Sequence, residues 1–478
     1  MPSIRRIDSV YSPESVGTGI VHIGLGAFHR AHQACYVERW LNANRGGPWG
    51  ICAANIRSNR QIVEQLVAQQ GRYHVVAFAD RDDIEITEVR SIRQALFAGD
   101  DKSALLASLA SAETRIVSLT VTEKAYCLSA ATGELDLDNN DIQHDLSNNE
   151  SPRTVPGVLA ASLRLRRERS LPPFTVLCCD NMPENGVRTR QAVSTLAAQC
   201  DGALADWIRS EVPFPSTMVD RIVPAVTEPM RLEMNELIGA PDPAAVTCEA
   251  FSQWVIEDRF ANGRPDWETV GVEMVSDVAP FETMKLRMLN GAHSLLAYVG
   301  LLGGKHTVNE AIADPLLHTL VQEYFAETEP SLAPTPGTTP AQYAARLLER
   351  FANNALEHQL AQIAMDGSQK LPQRWLQSAS LNLASGRSIR TIAIGIAAWL
   401  AHVRGHNDHG QRWLVDDPLA SRLAACHEQH RNTEDTVAAL LSYSDVFPRP
   451  LAENPKFRSA VLKAYRRASS GIEALLHI

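Results

Sequence analysis

Residues 19–41, GIVHIGLGAFHRAHQACYVERWL, decide how the first half of the chain is read. The apolar run 19–23 is strand-like and breaks at a Gly-x-Gly turn, Gly24-Leu25-Gly26, into a helical stretch. Gly24 permits the tight turn, and Gly26 lets backbone approach a pyrophosphate at a helix N-terminus. The third glycine of the dinucleotide fingerprint is absent, because His29 stands in its place. A lone GxG after a strand also describes a plain turn. On the functional reading, Ile23, Gly24, Leu25, Gly26, Ala27, Phe28, His29 and Arg30 form a cofactor loop.

Outward from that stretch, a second strand at 49–55 completes a βαβ unit. Its end, NIRSNR at 55–60, carries Arg57, Asn59 and Arg60 where an NAD enzyme usually has an acid for the ribose 2′-hydroxyl. The segment reads either as an ordinary polar loop or as one that discriminates weakly against a 2′-phosphate. Further strands are expected at 73–78, 115–121 and 174–179, with helices at 103–111 and 155–169 between them. Strands alternating with helices predict a Rossmann-type, doubly wound, mostly parallel α/β sheet. The first 18 residues read as a polar lead-in.

From about residue 280 the pattern becomes helical, with helices expected at 281–301, 306–327, 340–365, 387–404, 416–430 and 454–475. The division is therefore 1–278, a dinucleotide-binding domain, and 279–478, a mainly α-helical substrate and catalytic domain. The second part opens with 281–298, FETMKLRMLNGAHSLLAY, an apolar helical run that embeds Lys285, Asn290 and His293. At about 100° per residue, Asn290 lies roughly 140° around an α-helix from Lys285 and His293 roughly 80°. The three share one broad face, which is costly in an apolar helix unless they are paired or used.

Composition excludes several function classes. A net charge of −10 argues against a nucleic-acid partner, and the basic cluster RLRRER at 164–169 fits a solvated helix end. The N-terminal sequence lacks the apolar core of a secretory signal, and the longest apolar run, 392–403, is too short to span a membrane. Eight cysteines without a CxxC pair read as reduced thiols in a cytoplasmic protein. His402, His406 and His409 read as a solvent-exposed turn rather than a zinc site, having no nearby cysteines and no HExxH pattern.

Several expected strand ends carry polar residues, at the edge where open α/β sheets place ligands. CCDNMPENG supplies Asp180 and Asn181, TMVDRIVP supplies Asp220 and Arg221, and SLTVTEKAYC supplies Glu123 and Lys124. Asn181 is either a turn former or an amide donor to a developing alkoxide.

Together, IVHIGLGAFHRAHQACY, SLTVTEKAYC, CDNMPENG, FPSTMVDRIVP, QWVIEDRFANGRPDWETVG, KLRMLNGAHS and IAMDGSQKLPQ resemble the long-chain mannitol dehydrogenase family of polyol-specific dehydrogenases. The resemblance runs from about Gly19 to the C-terminal helices. It implies an oxidoreductase with NAD(H), NADP not excluded, and a metal-free mechanism. It further implies that Lys285 is the general acid/base, which near neutral pH requires burial or a neighbouring positive charge. Asn290 and Asn181 match oxyanion-stabilising amides, and His293 matches a residue that orients the substrate. Glu123 matches a proton path and Asp220 a positioning contact. The expected partner is a small sugar acid or polyol, and the expected state a monomer or weak homo-oligomer.

Within the family, the detail resembles the branch acting on D-mannonate and D-fructuronate rather than D-mannitol and D-fructose or a pentitol. Lys124 stands where mannitol enzymes tend to show glycine, Gln362 where they tend to place an arginine, and Arg287 where a small residue is common. A hexuronate carboxylate requires a fixed cation, and Lys124, Arg287, Lys370 and Arg374 are the residues that could supply it.

Overall fold

Short apolar strands that bury both faces form the sheet at the centre of the first half. The protein is described here by a computed structural model, over residues 2–99, 101–129, 132–355, 357–406, 412–430, 432–468 and 474–475. Two compact units result, Met1–Ala279 and Pro280–Ile478.

The strands of the first unit are β1 (Ser3–Ile7), β2 (Val16–Ile23), β3 (Gly47–Asn55), β4 (Tyr73–Phe78), β5 (Asp83–Val89) and β6 (Ile92–Phe97). They continue as β7 (Ile116–Leu119), β8 (Thr175–Cys178), β9 (Thr217–Asp220), β10 (Val246–Glu249), β11 (Gln253–Glu257) and β12 (Glu273–Val275). The main sheet runs β6-β3-β2-β7-β8, with every neighbouring pair parallel. Chain order reverses at β2, so the topological switch point lies between β2 and β7. Ile20, Ile51 and Ala53 pack into one apolar cluster while Val21, Cys52 and Ala54 pack into another on the opposite face. That two-sided burial is why these strands read as continuous apolar runs rather than as alternation.

Two smaller sheets complete the unit, one in the order β1-β5-β4-β10 and one in the order β12-β11-β9. They correct two expectations. Residues 73–78 do form a strand, but in the second sheet, and the third strand of the main sheet is β6. The supposed lead-in also contains a strand, β1, whose SIRRI sequence is almost wholly exposed and is held by parallel pairing with β5. An exposed edge strand has no apolar pattern to betray it.

The second unit is built from helices around one apolar core, to which Leu295, Leu296, Trp375, Ile396 and Trp399 contribute. The expected opening helix is present with an interruption: Ala279–Met284 and Gly291–Leu302 are α-helical, and Lys285–Asn290 between them is a π turn. A second π turn, Pro372–Leu376, lies between Gly367–Leu371 and Gln377–Ala384. His402, expected in an exposed turn, instead ends the buried helix Arg390–His402, stacks on Trp413 and is held at a pKa of about 4 by burial. His409 lies outside the described residues. Among the described residues no helix is long and apolar enough to cross a membrane, and no group of three or more His, Cys, Asp or Glu is placed to hold a metal ion.

Candidate active site

Gly24 follows β2 with φ +107° and donates its N–H to the Ala54 carbonyl at 2.8 Å. A Cβ there would sit 2.0 Å from the Thr120 carbonyl oxygen, just beyond β7, so the turn is wedged into the switch point and admits only glycine. Gly26 differs. A Cβ on it would meet nothing nearer than the Gly24 carbonyl at 3.8 Å. Packing within the chain does not demand glycine at 26, and the open space before the helix Ala27–Ala31 fits a pyrophosphate-bearing cofactor.

The missing third glycine has a structural counterpart. His29 is fully buried and its ring stacks on that of His22. His22 is fixed in turn by Ser118 Oγ at 2.8 Å and Thr120 Oγ1 at 2.9 Å. An aromatic pair thus fills the helix–sheet gap that a glycine would close. Of the expected cofactor loop, Ile23, Leu25, His29 and Arg30 are buried, while Gly24, Gly26, Ala27 and Phe28 are partly exposed. The Asn55 amide donates to the carbonyls of Leu25 (3.2 Å) and Asn59 (3.4 Å), joining the glycine turn to the loop after β3. Asn59 has φ +57°, and the Arg57 guanidinium donates to Asp141 at 2.6 Å and to the Arg153 carbonyl.

At the end of β7 the backbone turns through Thr122, whose φ of +73° is rare for a β-branched residue. The short helix Glu123–Tyr126 follows, with Glu123 and Lys124 exposed. Asp180, just past β8, holds this turn: its carboxylate accepts the N–H of Val121 and of Thr122, each at 2.9 Å, and the Tyr126 hydroxyl at 2.6 Å. Asn181, exposed, is the next residue. Asn185 anchors the same turn to β9, donating to the carbonyls of Asp180 (3.1 Å) and Thr217 (2.8 Å) and accepting the Thr217 N–H. Asp220 ends β9 and is buried. The structure thereby brings Glu123, Lys124 and Asn181 to adjoining strand ends through Asp180. Sequence reading missed that role, and the only signal was an acid inside CDNMPENG.

In the second unit, Lys285 is half-buried, and Asn290 and His293 are buried. The angle expected from α geometry does not apply, because the intervening turn is π. Closing at i,i+5 rather than i,i+4, such a turn brings residues five apart, as Lys285 and Asn290 are, closer to one face than α geometry would. His293 lies one α-helical turn further on. Its ring packs on Phe351 at 4.7 Å and edge-on to His358 at 5.2 Å. Burial, then the neighbouring His358, Arg350 and Arg374, push its pKa well below the ordinary range, so it is a neutral imidazole. Its Nε2 is buried without a hydrogen-bond partner among the described residues.

The expected cations differ in their engagements. The Arg287 guanidinium donates to the Ser331 carbonyl and to Gln377 Oε1. Arg374 donates to the Asn290 carbonyl (3.2 Å) and Ser294 Oγ (2.8 Å), and burial brings its pKa down to about 10. Lys370 Nζ donates to the Met365 carbonyl at 2.5 Å, and its pKa is lowered by burial and by Arg374.

Comparison with known proteins decides the family. Residues 18–269 match the model of the mannitol dehydrogenase Rossmann domain, and residues 277–469 that of the mannitol dehydrogenase C-terminal domain. The chain belongs to the mannitol dehydrogenase family. Its relatives include the D-mannonate oxidoreductase of Escherichia coli, 45% identical over 94% of this chain and 92% of that one. The mannitol 2-dehydrogenase of Aspergillus clavatus is 36% identical over 97% of this chain and 93% of that one. Among solved structures, Pseudomonas fluorescens mannitol 2-dehydrogenase in ternary complex with NAD and D-mannitol superposes with a TM-score of 0.88 at 37% identity, covering 99% of this chain and 96% of that one. This mannitol dehydrogenase family member is accordingly an oxidoreductase of the class acting on CH–OH groups.

Proposed function

We propose that the protein interconverts D-mannonate and D-fructuronate with NAD(H), NADP not being excluded, using Lys285 as general acid/base and no metal. The observation that carries the reading is the helix whose π turn runs from Lys285 to Asn290 and which presents, one turn later, a neutral His293 whose buried Nε2 has no hydrogen-bond partner among the described residues. An unsatisfied buried nitrogen is costly, and a substrate hydroxyl would remove that cost.

When bound at the glycine turn, the dinucleotide supplies or accepts the hydride. In the reductive direction Lys285 delivers the proton to the substrate oxygen, and in the oxidative direction it removes it. The amides of Asn290 and Asn181 donate to that oxygen while it carries negative charge. His293 orients the substrate through a hydroxyl, Asp220 positions it, and Glu123 lies on the path by which the Lys285 proton exchanges with solvent. Gly24, Gly26, Ala27 and Phe28, together with the loop bearing Arg57 and Asn59, hold the cofactor.

The sugar-acid substrate is supported by the 45% identity to a D-mannonate oxidoreductase and by Lys124, an exposed cation beside Glu123. A neutral-polyol reading, D-mannitol and D-fructose or a related pentitol, is favoured by one observation. Arg287, Lys370 and Arg374 all spend hydrogen bonds on groups within the chain, as structural cations do. Consumption of NADH by the purified protein with D-fructuronate and, separately, with D-fructose, each repeated with NADPH, tests the proposal. Preference for fructuronate upholds it. Preference for fructose replaces it with the polyol reading.

A further inference from the structure

The π turn at Lys285–Asn290 has a cost that the surrounding residues meet. In an α-helix the Arg287 carbonyl would accept the N–H of Gly291, four residues on. Here the Gly291 N–H is directed instead to the carbonyls of Leu286, five residues back, and Met288. The Arg287 carbonyl thus loses its α-helical donor, and the Tyr324 hydroxyl donates to it. Two more side chains donate to the carbonyls that follow: Arg374 Nη1 to Asn290 O at 3.2 Å, and Trp375 Nε1 to Gly291 O at 3.1 Å. Tyr324 and Trp375 are fully buried.

Arg374 and Trp375 are presented by the other π turn among the described residues, Pro372–Leu376. Glycine at 291 serves the same arrangement, because a Cβ there would stand 1.9 Å from the Tyr324 hydroxyl oxygen. Arg374 makes no ion pair with a carboxylate among the described residues, and its hydrogen bonds go to Asn290 O and Ser294 Oγ.

We infer that Tyr324, Arg374 and Trp375 are positioning residues: their three donors hold the helix in its π register and so set where Lys285 stands relative to Asn290. None of the three needs to touch substrate. The inference rests on the reading of Lys285 as the acid/base. It also reassigns Arg374 from the cations that could meet a substrate carboxylate to the support of the catalytic helix.

Tyr324→Phe is the sparing test, since it keeps the ring and removes only the hydroxyl donor. Gly291→Ala tests the same contact from the other side by displacing Tyr324. Each variant is followed by amide hydrogen exchange over 285–291 and by steady-state kinetics. In both, exchange in that segment should rise about tenfold. At the same time kcat should fall by about 10²-fold with the KM for NADH unchanged. Unchanged exchange overturns the inference, and so does faster exchange with wild-type kcat. Lys285→Ala, run alongside, separates the two claims. Turnover retained there would sink the acid/base reading, whereas wild-type exchange in Tyr324→Phe would sink the support role.

Discussion

The imidazole rings of His22 and His29 lie face to face, centroids 3.4 Å apart and 10° from parallel, beneath the glycine turn. Burial holds the pKa of His22 down at about 3, and burial followed by the proximity of His22 holds that of His29 well below its ordinary 6.5. Both are neutral when folded. Below about pH 6.5 the unfolded chain binds protons that the folded chain refuses. The stability present above that pH is therefore lost as the pH falls, by about 1.4 kcal/mol per pH unit for each such histidine. Denaturant unfolding followed from about pH 7 to about pH 5 should show this slope, and His29→Phe should remove one proton's share of it.

The two glycines of the turn should separate stability from cofactor affinity. Gly24→Ala forces a side chain against the Thr120 carbonyl at a positive φ and should lower the melting temperature sharply. Gly26→Val points into open space, so it should leave the melting temperature near wild type while weakening NADH binding in a fluorescence titration. Wild-type NADH affinity in Gly26→Val would count against the cofactor loop.

Asp180→Asn should loosen the turn that carries Glu123 and Lys124. The carboxylate accepts from three donors, and an amide in its place turns an NH2 group toward one of them. The expected cost is about 1–3 kcal/mol of stability, with kcat reduced as well. Equal stability and turnover in the variant would show that the Thr122 conformation is held by other means.

Lys285→Ala should lower kcat by about 10²–10⁴-fold, the usual contribution of a general acid/base, and leave NADH affinity unchanged. Stopped-flow turnover beside a binding titration distinguishes this from a variant that fails to fold. Near-wild-type turnover would remove Lys285 from the chemistry.

How far these features could be read from sequence depended on whether the physics was local. β2 and β3 were legible because both faces are buried and the residues say so. β6 was not, since IRQALF keeps only Ile92 fully buried, and β1 was invisible because pairing rather than burial holds it. In the second unit, the identities of Lys285, Asn290 and His293 drew attention as polar residues in an apolar run. Their mutual geometry was out of reach, because a 3.6-residue period is blind to a turn that closes five residues on. Asp180 was legible as a strand-end acid, but its grip on Thr122 spans 58 positions of sequence.

The π turn also bears on how this helix tolerates changes in length. Ala279–Met284 and Gly291–Leu302 are two α-helical segments out of phase by the single residue that the turn takes up. Gaining or losing one residue in a packed helix ordinarily rotates everything beyond it by about 100°. This helix has absorbed such a residue locally, and both flanking segments keep buried side chains, Phe281 and Met284 before it and Leu295 and Leu296 after it. A homologue lacking one residue between 285 and 290 would therefore have to turn one segment against its neighbours or give up the π turn that runs from the lysine to the asparagine. A one-residue gap in this stretch would thus mark a helix of different internal register, however similar the flanking sequence.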